Sequence, residues 1–342
     1  MSIIQTLVSG RSDVINYDFI KSNYPWIIKK NQKCILSPDS DGLLCGLFMS
    51  HYMNWEVVGF YDGKVALIKD GVRPTDEDVV FLDIELYRKN IKSIGHHMLS
   101  LNNRWLPLDW NERFHNCIQP NLLRKYDGKT TFRLKYPLAT IHFLIGILEN
   151  ELKIEVSERA IFPLIFTDGT YNVMFSYPEN VMNWWKYLDI EKNSKLLNKV
   201  FLNEDYSVIN LMKEMQNFFD RRDRISISKE RGDRMKISNK DSTPHNIELE
   251  LNGNYKIIDD AKIRCTKFLK LLEEDTNWGY NNSNWNFNNL KLYSFKKRDF
   301  KGMGWTLKKS DWEKFISLNP LSWAMTSGDN IEFTIEEKDF ML

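Results

Sequence analysis

Short apolar runs separated by polar turns fill the first hundred residues. Lys33-Cys34-Ile35-Leu36 reads as a buried strand that ends in a polar loop, Ser37 to Gly42. Leu43 to Tyr52 reads as a helix, apolar nearly all round. Glu56 to Tyr61 (EVVGFY) predicts a second strand, Asp62-Gly63 a turn, and Lys64 to Ile68 a third strand. Asp78 to Ile84 (DVVFLDI), β-branched and bounded by charges, predicts another, and Ile91 to Ile94 one more that runs into Gly95-His96-His97. Strand, loop and helix in repetition imply a parallel sheet with helices on both faces. In such sheets ligands bind at the carboxyl ends of the strands. Asp39, Asp41, Asp83, His96 and His97 all close, or directly follow, a predicted strand.

Further along, Leu138 to Glu149 and Pro178 to Leu188 predict helices, the second with proline in its first turn. Ala160 to Gly169 is an apolar run ending in Asp168. From about residue 205 the character changes. Asp205 to Phe219 predicts an amphipathic helix, and residues 221–240 hold eight Lys/Arg against three Asp/Glu. An Asn-, Trp- and Lys-rich remainder carries a predicted helix at Asp259 to Glu274 and strands near Lys291 to Phe295 and Ile331 to Ile335. The pattern as a whole predicts an α/β, doubly wound, mainly parallel sheet over residues 1–190. A helical, basic connector follows over 191–240, and a smaller α+β domain over 241–342.

Composition narrows the class. With 342 residues, 42% apolar and 27% charged, the chain is long enough for two cores of ordinary globular type. A net charge of +1 leaves any nucleic-acid partner to local patches. Cys34, Cys45, Cys117 and Cys265 form no C-x-x-C pair and read as buried, reduced thiols. No basic start leads into a long apolar run, and no stretch of about 18 apolar residues exists, so the expectation is a cytoplasmic chain without a membrane span. The oligomeric state stays open, a dimer included.

The chemistry concentrates in Ser37-Pro38-Asp39-Ser40-Asp41-Gly42. Two carboxylates at i and i+2 in a tight loop suit a hard divalent ion, and Gly42 lets the backbone turn. Solvated loop acids and helix caps produce the same pattern elsewhere. Asp83 at the end of the next strong strand, and His96 and His97 at the end of the one after, make a joint spacing that caps alone do not explain. His142, in an apolar helix, reads as a satisfied core histidine; His51 closes a helix, and His115 is unassigned.

The runs CILSPDSDGLLCGLF, VVFLDIE, IKSIGHHM, HNCIQPN and AIFPLIFTDGT together resemble the DHH phosphoesterases, in particular the RecJ-like branch. The resemblance spans about residues 30–190. It implies that Asp39, Asp41, Asp83, His96 and Asp168 ligate one or two Mn²⁺ or Mg²⁺ ions, with Asp83 bridging. It places His97 on a phosphate or a leaving group, so that His97 and Asp83 are the catalytic pair. Gln119-Pro120-Asn121 is similar to the family's Asn-Pro-Asn-like turn. Two positions differ: Ser37 stands where the first acid of motif one is expected, and Gly95 where the Asp of Asp-His-His is expected. The first removes a ligand, and the second removes an acid that orients a histidine, a loss of roughly 10–100-fold elsewhere.

The resemblance implies a phosphodiester substrate: an oligonucleotide, single-stranded nucleic acid or nucleotide. Arg221, Arg222, Arg224 and Lys301 are the candidate substrate contacts. The family's Gly-Gly-His signature is not found; Phe300 to Trp305 has glycines and a cation without the histidine. Trp278, Tyr280, Trp285 and Phe287 could stack bases or form core. The competing reading is a catalytically weakened relative that binds nucleic acid or nucleotide as a regulatory module. A phosphate loop of ATP-pyrophosphatase type would need a Ser-Gly-Gly-x-Asp-Ser pattern, which is missing.

Overall fold

Parallel strands buried on both faces are written as unbroken apolar runs, and such runs build the centre of this fold. A computed structural model describes residues 3–155, 157–226, 232–301, 308–327, 330–336 and 340. Strands β1 (Lys33–Leu36), β2 (Glu56–Tyr61), β3 (Val65–Lys69), β4 (Val79–Leu82), β5 (Lys92–Ile94) and β6 (Cys117–Ile118) come first. Later come β7 (Ile247–Leu249), β8 (Tyr255–Ile257) and β9 (Leu290–Ser294). These nine form one mixed sheet in the order β6-β5-β4-β1-β2-β3-β9-β8-β7. The run from β6 to β2 is parallel; every pairing beyond β2 is antiparallel. The strands β10 (Lys296–Lys301), β11 (Pro320–Ser327) and β12 (Asn330–Ile335) make a separate antiparallel sheet.

Alternation along the strands sorts side chains into two cores. Cys34, Leu36, Val80 and Leu82 face one side, with the helix Ser40–Met53 and most other helices. Ile35, Val58, Ala66, Ile68 and Phe81 face the other. Helices were expected on both faces. Instead the second core is closed by Phe295, Leu321 of β11 and Phe340, and no described helix contributes to it. The sequence also predicted a change of domain near residue 240, yet β7, β8 and β9 extend the N-terminal sheet through the β3–β9 ladder, Val65 opposite Ser294 to Lys69 opposite Leu290. Trp278, Trp285 and Phe287 are buried in the first core, so they are packing rather than stacking platforms.

The small sheet is stitched to the large one beside the carboxyl ends of β4 and β5. Trp323 Nε1 donates to the Leu99 carbonyl at 2.8 Å, the Tyr87 N–H to the Leu321 carbonyl at 2.8 Å, and Thr334 Oγ1 to the Gly63 carbonyl at 2.8 Å. No described helix is long and apolar enough to cross a membrane.

Candidate functional site

The strand order reverses at β1: the chain leaves it toward β2 on one side and returns to β4 on the other. Such a switch point opens a crevice at the carboxyl ends of the two strands. Asp39 follows β1 and Asp83 follows β4. The helix after β1 starts at Ser40, earlier than the expected Leu43, because the Asp39 carboxylate caps it, accepting the Gly42 N–H at 3.2 Å. Asp41 therefore lies in the first helical turn rather than in a loop. Gly42 is required here: a Cβ would stand 2.0 Å from the Ser37 carbonyl oxygen.

Asp41 turns inward and caps a second helix, Thr140–Leu148. Its two oxygens accept the Thr140 N–H at 2.7 Å and the Ile141 N–H at 3.1 Å. The Thr140 hydroxyl donates to Asp83 Oδ1 at 2.7 Å and faces His96 Nδ1, also at 2.7 Å. His96 Nδ1 lies 3.7 Å from Asp83 and 3.9 Å from Asp41, while its Nε2 meets Asp168 Oδ2 at 2.7 Å. Asp168 sits in a tight turn after the helix Ile161–Phe166, and Thr167 ties that turn to Ser40 at 3.2 Å. Asp83 and Asp168 hold left-handed backbone angles, φ 59° and 53°. Strain of this kind persists where surrounding structure imposes it, as at functional sites.

Four expected residues, Asp41, Asp83, His96 and Asp168, thus converge on one imidazole and one threonine. Asp83, His96 and His97 offer ligand atoms within 4.8 Å of one another and could hold a metal ion. Asp39 lines the crevice from its rim. His97, expected to touch phosphate, is here a member of the metal-capable group.

Glu85 has no counterpart in the sequence reading. Its Oε1 accepts the N–H groups of His97 and Met98, and its Oε2 lies 3.4 Å from His97 Nδ1. A Cβ on Gly95 would stand 2.6 Å from this carboxyl group. Glu85 thus fills the space beside position 95 and orients His97, the task an acid at 95 was expected to perform. Thr140 was also missed. The signal for both was weak: one acid two residues past Asp83, and one hydroxyl at a helix start. The Gln-Pro-Asn turn holds the histidine segment from behind. The Gln119 amide donates to the Met98 carbonyl, and Asn121 Nδ2 donates to the His96 carbonyl at 3.0 Å.

Charge is distributed unevenly. Burial, then the charges of Asp41, Asp39 and Asp168, push the Asp83 carboxyl well above the usual carboxylate range. Burial raises Asp41 as well. Burial acts to raise Asp168 too, but the neighbouring His96, His97 and Lys135 outweigh it and hold that carboxyl low. For His97 burial favours the neutral ring, but the Glu85 carboxylate wins and lifts the imidazole to about 9. His97 and Lys135 sit beside Glu85 and Asp168, and His96 offsets part of the burial at Asp41, whereas Asp83 is raised by three neighbouring acids. A divalent cation is the species that would relieve that crowding.

Three clefts meet at this cluster. One, of about 500 Å³, is lined by Asp39, Asp83 and His97 together with Arg234, Lys236 and Lys240. A second, of about 650 Å³, reaches His96, His97 and Asp168 past Phe132, Lys135 and Tyr177. The third, of about 580 Å³, runs from Asp39 and Asp168 to Arg222 and Arg234. Among the expected substrate contacts whose side chains are described, Arg222 alone lines any of these clefts, and its guanidinium lies over the rings of Phe166 and Phe219. Arg221 is bonded to Asp275 and Glu274, and Arg224 is exposed after the helix Val208–Asp223. The Lys301 side chain, and most of the run Phe300 to Trp305, lie outside the described residues. His142 is the expected core histidine: its Nδ1 accepts the Ala139 N–H at 3.0 Å and its Nε2 donates to the Leu164 carbonyl at 2.9 Å. Compared with protein-family models, curated proteins and solved structures, the chain matches none.

Proposed function

We propose that this chain is a divalent-metal-dependent phosphoesterase of DHH type, hydrolysing a phosphodiester in an oligonucleotide, single-stranded nucleic acid or nucleotide. The observation that carries the reading is Asp83. It is buried at a switch point, held at a positive φ, crowded by other acids, and within ligand distance of two histidines. Carboxylate and imidazole donors together suit Mn²⁺, or Mg²⁺ as the harder alternative. A divalent ion held by Asp83, His96 and His97, with Asp39, Asp41 and Asp168 around it, would supply Lewis acidity: it makes water more acidic and neutralises charge on phosphoryl oxygens. The chain's own groups do the rest. Thr140 fixes Asp83 and His96 relative to each other. Glu85 holds Nδ1 of His97 and leaves Nε2 for the ion, for a phosphoryl oxygen or for the leaving oxygen. The cations that line the first cleft hold the substrate's negative charge.

A second reading, a weakened relative that binds without turnover, is favoured by one feature. Both oxygens of Asp41 are taken by backbone N–H groups, and both ring nitrogens of His96 already have partners. Ion binding would have to exchange those hydrogen bonds for coordination. Turnover decides between them. With Mn²⁺, the wild-type chain should hydrolyse a bis-aryl phosphodiester and a short single-stranded oligonucleotide, and Asp83→Ala should abolish both. Hydrolysis unaffected by Asp83→Ala discards this site, and bound Mn²⁺ without turnover on any diester selects the second reading.

A further inference from the structure

We propose that residues 233–240 form a phosphate-binding strap, on which Arg234, Lys236 and Lys240 grip the backbone of a single-stranded polynucleotide as it enters the first cleft. The proposal rests on the phosphodiester reading of the site and names the substrate as a chain of several phosphates rather than a mononucleotide. The strap is anchored to the site itself. The Met235 N–H donates to the Pro38 carbonyl at 2.8 Å, one residue before Asp39. Ser238 Oγ donates to Asp62, Lys64 Nζ donates to the Asn239 carbonyl at 2.8 Å, and the His245 N–H donates to the Ile237 carbonyl at 2.8 Å.

Burial alternates along this extended segment. Met235 and Ile237 are 2% and 0% exposed, while Arg234 before them and Lys236 between them are exposed. Period-two alternation sends alternate side chains to opposite sides, so the two cations leave on the same side, about 7 Å apart. Arg234, Lys236 and Lys240 all line the cleft that Asp39, Asp83 and His97 also line. None makes an ion pair with any described carboxylate, in contrast to Lys297 in the same cleft, which is bonded to Glu332 at 2.6 Å. A solvated charge run would scatter its cations around the segment. Here burial of Met235 and Ile237 turns Arg234 and Lys236 outward, and all three cations share one cleft with Asp39, Asp83 and His97, where a repeating anion passing the site would lie. The sequence offered the whole basic stretch Arg221 to Lys240 as a backbone contact and named Arg221, Arg222, Arg224 and Lys301; of those, Arg221 is engaged by Asp275 and Glu274.

The test is a salt titration of fluorescein-labelled dT and rU twelve-mers binding to the full chain in EDTA, repeated with phosphorothioate oligomers in Mn²⁺. Each phosphate contact to a single strand contributes a slope of about −0.7 in log K against log salt. Arg234→Gln/Lys236→Gln/Lys240→Gln should therefore flatten the slope by about 2, a differential of roughly 20-fold between about 50 and 200 mM salt. Lys267→Gln, on an exposed helix face, should leave it unchanged, and matching circular dichroism and melting curves establish that the triple variant is folded. Equal affinity for dT and rU indicates backbone contact alone. A folded triple variant with the wild-type slope, or a wild-type chain that binds no single strand in either condition, overturns the strap. Loss of hydrolysis is read separately on the bis-aryl diester, which carries no chain for the strap to hold, so failure of the catalytic reading and failure of the strap give different results.

Discussion

Replacing Asp83 by asparagine keeps the shape of the side chain and removes one charge from a crowded pocket. Asp83 and Asp41 are 5% and 1% exposed. Their oxygens lie 3.7 and 3.9 Å from the same His96 nitrogen, so they are at most about 7.6 Å apart. At an effective dielectric of about 20, two unit charges at that separation repel by about 2 kcal/mol, or protonation of one acid takes up an equivalent penalty. The amide keeps a weaker hydrogen bond from Thr140, a loss of about 1 kcal/mol. Without metal, Asp83→Asn should therefore be more stable than wild type by about 1 kcal/mol. An ion present at a hundred times its dissociation constant adds about 2.7 kcal/mol to the chain that binds it. The order of stability should then reverse, with wild type above the variant. Urea denaturation followed by tryptophan fluorescence, in EDTA and in saturating Mn²⁺, reads both halves. A variant already weaker in EDTA would make Asp83 a structural acid, and equal stabilisation of both chains by Mn²⁺ would refute the reasoning.

Gly95→Ala should destabilise the fold by about 1–3 kcal/mol, because the new Cβ meets the Glu85 carboxyl at 2.6 Å; Glu85→Ala in the same chain should relieve it, and a double-mutant cycle in urea showing simple additivity would contradict the contact. Glu85→Gln should lower the His97 titration midpoint from about 9 toward the ordinary histidine value, followed by proton NMR of the ring; an unmoved midpoint would show that Glu85 does not hold that proton. Burial, against the opposing effect of its Leu164 and Ala139 hydrogen bonds, lowers His142 to about 3, so the native ring stays neutral where the unfolded chain protonates. With the folded value below the unfolded one of about 6.5, stability should fall as pH drops below about 6.5, by up to about 1.4 kcal/mol per unit, until the pH reaches about 3. His142→Asn should lose that part of the slope, and an unchanged slope would assign acid sensitivity elsewhere. Thr140→Val leaves Asp83 and His96 short of a hydrogen bond and should lower stability by about 1–3 kcal/mol while raising the Mn²⁺ concentration needed for activity; wild-type behaviour would remove Thr140 from the site.

The parallel half of the sheet was legible because β1, β2 and β4 are short, mostly apolar runs with clear turns between them, and β5 follows apolar Ile91 and ends in Ile94. The chemistry at their ends was legible for the same reason. The antiparallel half was not. β7 and β8 are three residues each and, with Glu248 and Leu249 exposed in β7, carry no buried apolar run, and nothing local in Leu290–Ser294 says that it pairs with Val65–Lys69 more than 200 residues away. Helices were expected on both faces because the alternation of strand and helix is the same whether a helix layer or a second sheet closes the far side. Within the site, the acids were legible as acids, but the inward turn of Asp41 onto the Thr140 helix was not, since a helix cap donated from another element leaves no local pattern. Glu85 escaped notice because its partner is an empty position: only the fold shows that Gly95 is small to make room for it. The basic stretch was visible as composition, and burial of Met235 and Ile237 was needed to select which of its cations face the cleft.

The most direct test of the central claim is diffraction from Mn²⁺-soaked crystals at the manganese absorption edge. The account predicts an anomalous peak between the carboxylate of Asp83 and the rings of His96 and His97, with Thr140 still bonded to Asp83. Side chains left in their ion-free arrangement, with no peak among them at saturating Mn²⁺, would contradict it.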